Sequence, residues 1–459
     1  MSQITQQSSH VSCPALFLAG PASGEGKTTV TAALARALKN QGKRVRIFKT
    51  GPDYLDPQVL AQASGHPVEQ LDIWMAGEAY CQAHLFLAAQ EADFILVEGA
   101  MGLFDGDPSS ADLAACFGIP IAIVMNVKGM AQTTAAIMNG LAGYRDDIKI
   151  QGLIANNCGS ERHAELIRDA LADDIPLLAT LKRDPSISLP ERHLGLVQAS
   201  EAEDQLEVCF EAGASALING AQGIENLENI FSHVSFRLPV KTEETLVKSL
   251  AGLTIAVAKD EAFSFIYQAN LDLLIELGAS YCFFSPLNDK KIPEADGLWL
   301  PGGYPELHAE RLSNNTTMLV SISAFHQTEK PILAECGGFL YCLESLCDLE
   351  DQTYPMTGIL SGQGAMRGKR GCQGMQTAVL PEGELRGHAH HRSRSSGTQA
   401  PLSYARRQRH PAPGEAIYRS KGLTASYLHF FFANNPTAIA QLFLFDKQTK
   451  PAVELSHVS

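Results

Sequence analysis

Cys336 is the residue whose surroundings most strongly indicate covalent chemistry. It follows the apolar run Pro-Ile-Leu-Ala-Glu at 331–335 and precedes two glycines and a further apolar segment. This order predicts a strand, a tight turn and a helix start, with the thiol presented at the turn. A helix N-terminus behind the sulfur would favour the thiolate and would offer backbone N–H groups to an oxyanion. We therefore expect a nucleophile for acyl transfer, the alternative being a structural thiol.

A phosphate-binding loop is predicted near the other end of the chain. Gly-Pro-Ala-Ser-Gly-Glu-Gly-Lys-Thr at 20–28 follows an apolar strand and opens a helix, although proline stands at 21 where the strict pattern has glycine. Backbone N–H groups would surround the phosphates, the Lys27 ammonium would neutralise their oxygens, and the Thr28 hydroxyl would bind Mg²⁺. The residues of this loop predicted to bind nucleotide are Gly24, Gly26, Lys27, Thr28 and Thr29.

Acidic residues follow two of the predicted strands. Glu98 ends an apolar strand and Asp105 comes shortly after it, while Asp53 and Asp56 follow the strand at 45–49. Ligand sites in parallel sheets lie at the carboxyl ends of strands, so these carboxylates could converge on the phosphates through Mg²⁺. The alternative for each is a solvated loop carboxylate. Glu98 is the one that its position favours most.

Alternating apolar strands and helical stretches would position these groups. Such alternation, with helices such as 28–39, predicts an α/β fold with parallel sheets covered on both faces. The predicted strands are 16–19, 45–49, 94–97, 119–126, 152–156 and 176–180 in a first block, and 254–258, 281–284, 297–300 and 331–334 in a second. The predicted divisions are a tail at 1–12, a nucleotide-binding domain at 13–240, a linker at 241–250, a second domain at 251–448 and a tail at 449–459.

Composition narrows the class of protein. The 459 residues are 45% hydrophobic and 19% charged, which is typical of a globular enzyme, and a net charge of −14 argues against nucleic acid as the main partner. We expect a cytoplasmic protein, because we find neither a signal-peptide pattern nor a long apolar run. The ten cysteines show no C-x-x-C pair and no zinc spacing, so all but Cys336 are interpreted as mostly buried, reduced thiols.

Residues 366–410 stand out as basic in an acidic chain. We interpret most of the segment as a solvated loop, the alternative being that a few members hold carboxylates in a cleft. Its basic residues and histidines are Arg367, Lys369, Arg370, Arg386, His388, His390, His391, Arg392, Arg394, Arg406, Arg407, Arg409 and His410.

Several motifs together resemble those of the cobyrinic acid a,c-diamide synthase family, which includes the hydrogenobyrinic acid enzymes. The resemblance extends from about residue 13 to 440. The matching stretches are Gly-Pro-Asp-Tyr-Leu-Asp-Pro at 51–57, Glu-Gly-Ala-Met-Gly-Leu-Phe-Asp-Gly at 98–106, Leu-Pro-Glu-Arg-His-Leu-Gly at 189–195, Asp-Glu-Ala-Phe at 260–263, Pro-Gly-Gly-Tyr-Pro-Glu-Leu-His at 301–308 and Ala-Glu-Cys-Gly-Gly at 334–338.

The resemblance implies a P-loop domain of dethiobiotin-synthetase type, binding ATP and corrinoid, followed by a flavodoxin-like class I glutamine amidotransferase domain. It implies that ATP with Mg²⁺ activates corrinoid carboxylates as acyl phosphates, which ammonia released from glutamine then displaces. In the second domain it assigns Cys336 as nucleophile, His429 as general base, and the N–H groups of Gly303 and Gly337 as the oxyanion hole. In the first domain it assigns Lys27, Thr28, Glu98 and Asp53 to phosphate and Mg²⁺, Asp53, Leu55, Asp56 and Asp105 to the substrate, and Asn156 to adenine.

The sequence differs from the family pattern at two places, and other functions are also compatible with it. Gly-His-Ala-His-His-Arg-Ser at 387–393 stands where the family commonly has Gly-His-Glu-Phe-His-Tyr-Ser, and Phe431 replaces a second histidine. Both changes leave Cys336 and His429 in place. The rivals are a sister tetrapyrrole amidotransferase (cobyric acid synthase or nickel-sirohydrochlorin a,c-diamide synthase), a P-loop switch ATPase and a degraded, structural amidotransferase domain. A homodimer is compatible with the sequence.

Overall fold

The structure, a computed structural model, describes residues 10–192, 195, 196, 198–219, 227–239, 247–368 and 371–444. The chain divides into two compact units, Met1–Glu244 with Tyr267–Ala269 and Thr245–Ile266 with Asn270–Ser459. The predicted C-terminal tail and most of the predicted linker lie outside the described residues, as do His193 and Leu194 of the 189–195 motif. Within the described part of the chain, no helix has the length and apolarity needed to cross a bilayer.

The first unit contains most of the predicted strands and helices of the nucleotide-binding block. Its strands are β1 (His10–Ala19), β2 (Val45–Thr50), β3 (Glu69–Leu71), β4 (Phe94–Glu98), β5 (Ile121–Asn126), β6 (Ile150–Cys158), β7 (Leu177–Lys182), β8 (Glu191–Arg192), β9 (Gly195–Leu196) and β10 (Ser232–Arg237). Its helices are α1 (Lys27–Asn40), α2 (Asp56–Ser64), α3 (Glu78–Glu91), α4 (Ser110–Phe117), α5 (Thr133–Ala142), α6 (Glu161–Arg168) and α7 (Glu203–Asn219), with 3₁₀ turns at Pro185–Ile187, Ala199–Glu201 and Leu227–Ile230.

A parallel sheet in the order β3-β2-β4-β1-β5-β6-β7 forms the centre of this unit. Side chains of β1 alternate between two apolar clusters: Leu16 and Leu18 pack with α1 and α7, while Phe17 packs with α3. Helices therefore cover both faces, which explains why the strands read as continuous apolar runs. The expected parallel α/β architecture is confirmed.

The start of β1 corrects one boundary. Residues 10–12 were predicted to belong to a tail, but the strand begins at His10 because its first half pairs antiparallel with β10. This partner lies more than two hundred residues away in sequence, from Ser232 to Arg237, so local pattern could not reveal it.

The second unit has fourteen strands and five helices within the described residues. Its strands are β11 (Thr254–Ala258), β12 (Ser280–Phe284), β13 (Gly297–Leu300), β14 (Ile332–Glu335), β15 (Ser345–Cys347), β16 (Thr353–Pro355), β17 (Gln363–Met366), β18 (Cys372–Leu380), β19 (Gly383–His391), β20 (Ser393–Ser396), β21 (Ser403–Arg407), β22 (Pro413–Ser420), β23 (Leu423–Ser426) and β24 (Leu428–Phe430). Its helices are α8 (Gln268–Glu276), α9 (Ala309–Asn314), α10 (Thr316–Gln327), α11 (Gly337–Cys342) and α12 (Pro436–Phe443), with 3₁₀ turns at Pro305–His308 and Phe432–Asn434.

Ten of these strands form one sheet in the order β12-β11-β13-β14-β23-β22-β21-β18-β19-β24. The first five pair in parallel, as expected for the second block, and the remaining pairs are antiparallel. A smaller sheet contains β16, β15, β17 and β20.

The interpretation of residues 366–410 as mostly a loop is wrong for much of the segment. β18 and β19 form a nine-pair antiparallel hairpin from Cys372–His391 to Leu380–Gly383, and β20 and β21 follow it. Arg394 and Arg406 on these strands are exposed, Arg386 is half-buried and His388 is buried. Lys369 and Arg370 lie outside the described residues.

Packing of α1 against the sheet sets the stability expected of the first unit. Leu34 of α1 is fully buried in the cluster that covers one sheet face. Leu34→Ala should lower the free energy of unfolding by about 2–5 kcal/mol, because it removes buried methyl groups and leaves a cavity. Denaturant unfolding followed by circular dichroism measures this loss. The control is Leu87→Ala on α3, whose side chain is 53% exposed; equal losses in the two variants would contradict the packing described.

Candidate functional site

Cys336 occupies a strained turn between β14 and α11. Its φ of 45° and ψ of −99° lie where residues with a side chain are rarely found. Neighbouring hydrogen bonds hold this conformation: the Cys336 N–H donates to the carbonyl of Ser426 on β23 at 2.8 Å, and the Leu340 N–H donates to the Cys336 carbonyl at 3.0 Å. A strained backbone turn at the end of a strand is typical of the way enzymes present a nucleophilic side chain.

Glycines bring the predicted amidotransferase residues together. A Cβ atom at Gly302 would lie 2.1 Å from Cε1 of His429, so the imidazole packs directly on this backbone. A Cβ atom at Gly337 would lie 2.9 Å from the backbone nitrogen of Gly303. The two predicted oxyanion N–H donors and the predicted base therefore lie around the turn that carries Cys336.

Glu335 links the turn at Cys336 to the segment that carries His429. Its Oε1 accepts a hydrogen bond from the Phe430 N–H at 2.7 Å, and its Oε2 accepts one from Trp299 Nε1 at 2.9 Å. Burial raises the pKa of Glu335 to about 8. This side chain joins the residues next to Cys336 and His429 through buried hydrogen bonds, a role that the sequence analysis missed.

Burial sets the protonation states of Cys336 and His429. It raises the pKa of the Cys336 thiol, and the nearby Glu306 raises it further. It also lowers the pKa of His429 well below its usual value, with His388 contributing next. The resting pair is thus a neutral thiol and a neutral imidazole.

The expectation that a helix N-terminus favours the thiolate is therefore wrong for this resting state. α11 has only six residues, and one backbone hydrogen bond from Gly337 does not offset burial beside acidic groups. Placing a negative thiolate in an apolar site near carboxylates costs more free energy than the dipole of a six-residue helix can offset.

The predicted phosphate loop lies between β1 and α1. Gly24 and Gly26 have φ values of 81° and 87°, which favour glycine. Lys27 Nζ donates to the carbonyls of Ala22 at 3.0 Å and Met101 at 2.6 Å. Thr28 and Thr29 lie in the first turn of α1. The loop has the strand–turn–helix context that the motif requires.

A cluster of charged groups lies beside this loop. The Thr28 hydroxyl donates to Glu98 at 2.9 Å and also lies 3.2 Å from a carboxylate oxygen of Asp56. Lys49 Nζ lies 2.7 Å from Glu98, 2.9 Å from Asp56 and 3.7 Å from Asp53. The structure thus brings together four of the residues predicted for metal or substrate. It adds Lys49, a buried cation at the end of β2 that the sequence analysis did not single out.

The charges of the cluster are coupled. Burial alone would lower the pKa of Lys49, but the three carboxylates raise it well above its usual value. Burial alone would likewise raise the pKa of Asp56, but Lys49 and hydrogen bonds lower it. Burial and the Asp56 charge raise the pKa of Asp53 to about 7.

The donor set fits Mg²⁺. Carboxylate and hydroxyl oxygens are the ligands this cation prefers, and Oε2 of Glu98 is buried without a hydrogen-bond partner among the described residues. Thr28, Glu98 and Asp53 are the predicted ligands, and that assignment stays a prediction.

Three further predicted residues have structural contacts near the loop. Asp105 is exposed, and its carboxylate accepts a hydrogen bond from the Gly102 N–H at 3.2 Å. Leu55 is the N-cap residue of α2, and its N–H donates to Asp53 at 3.1 Å. Asn156 Nδ2 donates to the Glu25 carbonyl at 3.0 Å, so its side chain contacts the loop. Their substrate and adenine roles stay predictions.

Comparison with known proteins defines the class. A family model described as "CobQ/CobB/MinD/ParA nucleotide binding domain" matches residues 16–197, and one described as "CobB/CobQ-like glutamine amidotransferase domain" matches residues 254–437. The chain combines a P-loop nucleotide-binding domain with a glutamine amidotransferase domain, as the resemblance predicted.

Curated relatives narrow this class to one family. A protein of Stutzerimonas stutzeri named hydrogenobyrinate a,c-diamide synthase is 50% identical over 430 residues, covering 94% of this chain and 98% of the relative. A protein of the same name in Pseudomonas aeruginosa is 48% identical and covers 94% of this chain and 97% of its own length. A protein of Herminiimonas arsenicoxydans named cobyrinate a,c-diamide synthase is 44% identical and covers 93% of this chain and 96% of its own length. The chain belongs to the cobyrinate and hydrogenobyrinate a,c-diamide synthase family.

The charge cluster makes a testable prediction about stability. Lys49→Ala should lower the free energy of unfolding by about 3–5 kcal/mol, because it leaves buried carboxylates without their cation. Added Mg²⁺ should restore part of this loss if the carboxylates bind it. Thermal unfolding with and without MgCl₂ measures both effects, with Lys128→Ala, at an exposed position, as control. A Lys49→Ala variant as stable as wild type would contradict the coupling.

The neutral state of Cys336 makes a second prediction. Without glutamine, alkylation of Cys336 by iodoacetamide should increase roughly tenfold per pH unit from pH 7 to 9, because a raised thiol pKa leaves only a small thiolate fraction that grows with pH. Peptide mass spectrometry distinguishes Cys336 from the other cysteines. A rate that levels off near neutral pH would mean that the thiolate already predominates there.

Proposed function

We propose that this protein is a glutamine-hydrolysing, ATP-dependent ligase that amidates the a and c carboxylates of hydrogenobyrinic or cobyrinic acid in cobalamin biosynthesis. The observation that carries the proposal is the presence on one chain of a nucleophile turn at Cys336 and a phosphate loop with a carboxylate cluster. A carboxylate requires activation before ammonia can displace its oxygen, and ammonia requires a source. The family relatives carry the names of enzymes with this activity.

In the amidotransferase reaction, Cys336 attacks the side-chain amide of glutamine while its proton passes to His429. The neutral resting pair suits this sequence, because thiolate and imidazolium form only as the bond to carbon forms. The Gly303 and Gly337 N–H groups donate to the developing oxyanion. His429 then protonates the leaving ammonia, and water hydrolyses the thioester to glutamate.

In the ligase reaction, the substrate carboxylate attacks the γ-phosphorus of ATP. ADP leaves and an acyl phosphate forms. Ammonia then displaces phosphate and yields the amide. Lys27, whose ammonium now contacts the carbonyls of Ala22 and Met101, would neutralise phosphate oxygens together with the loop N–H groups. Asp53, Leu55, Asp56 and Asp105 would contact the substrate, and Asn156 the adenine.

Thr28, Glu98 and Asp53 would hold Mg²⁺, which when bound supplies positive charge to the transferring phosphoryl group. Because burial and Asp56 hold the Asp53 pKa near 7, binding of the cation would favour the ionised form of this carboxyl. Lys49 would remain available to neutralise the carboxylates that do not bind the cation.

Product mass tests the function. Wild-type enzyme is incubated with hydrogenobyrinic or cobyrinic acid, ATP and Mg²⁺, with either glutamine or ammonia. Two carboxylate-to-amide conversions are expected with both nitrogen sources, and with ammonia alone in Cys336→Ala. Hydrolysis of glutamine without amidation of either acid would refute the substrate and leave the amidotransferase, with nickel-sirohydrochlorin as the next substrate to try. Light scattering on the same preparation measures whether two copies associate.

Gly302 provides a further prediction about the amidotransferase half. Gly302→Ala should reduce glutamine-dependent amidation by roughly 100-fold or more, because the added methyl group would displace His429 and misplacement of a reacting group is costly. Ammonia-dependent amidation should stay near wild type. Gly140→Ala is the matched control, since its Cβ meets no atom within 4 Å. An equal loss with both nitrogen sources would show a general folding defect instead.

A further inference from the structure

Strand pairing in the second unit brings together a thiol, an imidazole and a carboxylate that the function above does not use. Cys372 on β18 and His391 on β19 are direct partners across the antiparallel hairpin. Glu415 lies on β22, and its Oε1 is 3.3 Å from Nε2 of His391. One side-chain atom from each of the three residues lies within 4.8 Å of the others.

Neighbouring groups orient these side chains. His391 Nδ1 lies 3.1 Å from the Ser393 carbonyl, and Nε2 lies 3.3 Å from Glu415 Oε1, so Nε2 is the ring nitrogen that faces the cluster. A metal ion would bind the tautomer that keeps its proton on Nδ1, where the Ser393 carbonyl accepts it. The imidazole stacks on the Tyr427 ring, with centroids 3.8 Å apart and an interplanar angle of 9°. The His391 and Glu415 side chains are only 8% and 13% exposed. The imidazole is therefore held with one nitrogen directed into the cluster.

Gln376 connects the other two members. Its Nε2 is 3.9 Å from the sulfur of Cys372, and its Oε1 accepts a hydrogen bond from the Glu415 N–H at 2.7 Å. Supporting hydrogen bonds of this kind orient side chains around metal ions.

A cavity of about 250 Å³ adjoins the three side chains. Ser393, Ser395 and Tyr427 contribute polar groups to its lining, and Arg367 and Arg394 contribute guanidinium groups. A cation held by the cluster would therefore have room for a water molecule as its fourth ligand. Three protein ligands and one open position form the usual arrangement of a zinc ion that is not fully enclosed.

We propose that Cys372, His391 and Glu415 form a binding site for one Zn²⁺ ion. Sulfur and imidazole ligands select zinc over Mg²⁺ and Ca²⁺, which prefer oxygen ligands alone. The Cys372 thiol releases its proton to solvent as the metal–sulfur bond forms.

Zinc at this position would join three strands beside the segment that carries His429. Tyr427, which stacks on His391, precedes His429 by two residues in the sequence. The site is separate from the nucleophile in its ligands, and its binding can be measured without any amidation assay.

Cobalt(II) is the direct probe, because thiolate ligation gives it a charge-transfer absorption and tetrahedral geometry gives it visible bands. The full-length protein is stripped with a chelator, reduced and titrated with Co²⁺, which Zn²⁺ then displaces. One equivalent of Co²⁺ with thiolate absorption is expected in wild type, and one equivalent of Zn²⁺ should abolish that absorption. The charge-transfer absorption should be absent in Cys372→Ser, present in Cys347→Ser, and also present in Cys336→Ala, which excludes the nucleophile as the ligand.

Gln376→Ala keeps all three ligands and tests their orientation. It should weaken Zn²⁺ binding by roughly 10–100-fold, as loss of a supporting hydrogen bond does at other metal sites. Circular dichroism confirms that each variant is folded. No thiolate absorption in wild type, or equal absorption in wild type and Cys372→Ser, would overturn the proposal and leave the cluster as a hydrogen-bonded group. Absorption lost only in Cys336→Ala would place the ion at the nucleophile and overturn it too.

Discussion

Both sites depend on the parallel register of strands whose carboxyl ends meet at one edge of a sheet. In the first unit, Lys49 of β2 and Leu18 of β1 are both register partners of Glu98, so the loop after β1 begins beside the buried carboxylate. In the second unit, Glu335 pairs with Ser426, which places the Cys336 turn next to the segment leading to His429. A shift of one residue would turn these side chains to the opposite face. The positions of the side chains in both sites are therefore set by the pairing register of the strands.

Local sequence was sufficient wherever an element and its function lie close together. The phosphate loop, the strand ending at Glu98 and the turn at Cys336 each carry their signal within about ten residues, and the structure places them as expected. Lys49 was missed because a lysine at a strand end gives no local sign that carboxylates will surround it. The protonation state of Cys336 was mispredicted for a related reason: burial and Glu306 come from the tertiary structure, whereas the helix start is visible in sequence.

Antiparallel pairing accounts for the strands that remained hidden. β1 extends to His10 only because β10 covers it, and the basic segment forms strands only because β18 pairs with both β19 and β21. Cys372, His391 and Glu415 show no metal-ligand spacing along the chain, since register rather than sequence separation brings them together. His429 gave little signal by itself; its position became predictable only through the family resemblance.

Lys49 gives the nucleotide-binding unit an internal counterion. The carboxylates of Asp53, Asp56 and Glu98 repel one another once folding brings them together. The Lys49 ammonium group balances part of their negative charge without any ion from solution. Folding can thus be completed before the protein meets a metal–nucleotide complex. Binding of Mg²⁺ then resembles an exchange between two cations: the Lys49 ammonium, which is attached to the chain, and the metal ion, which diffuses in. The fold does not depend on the cell's supply of Mg²⁺.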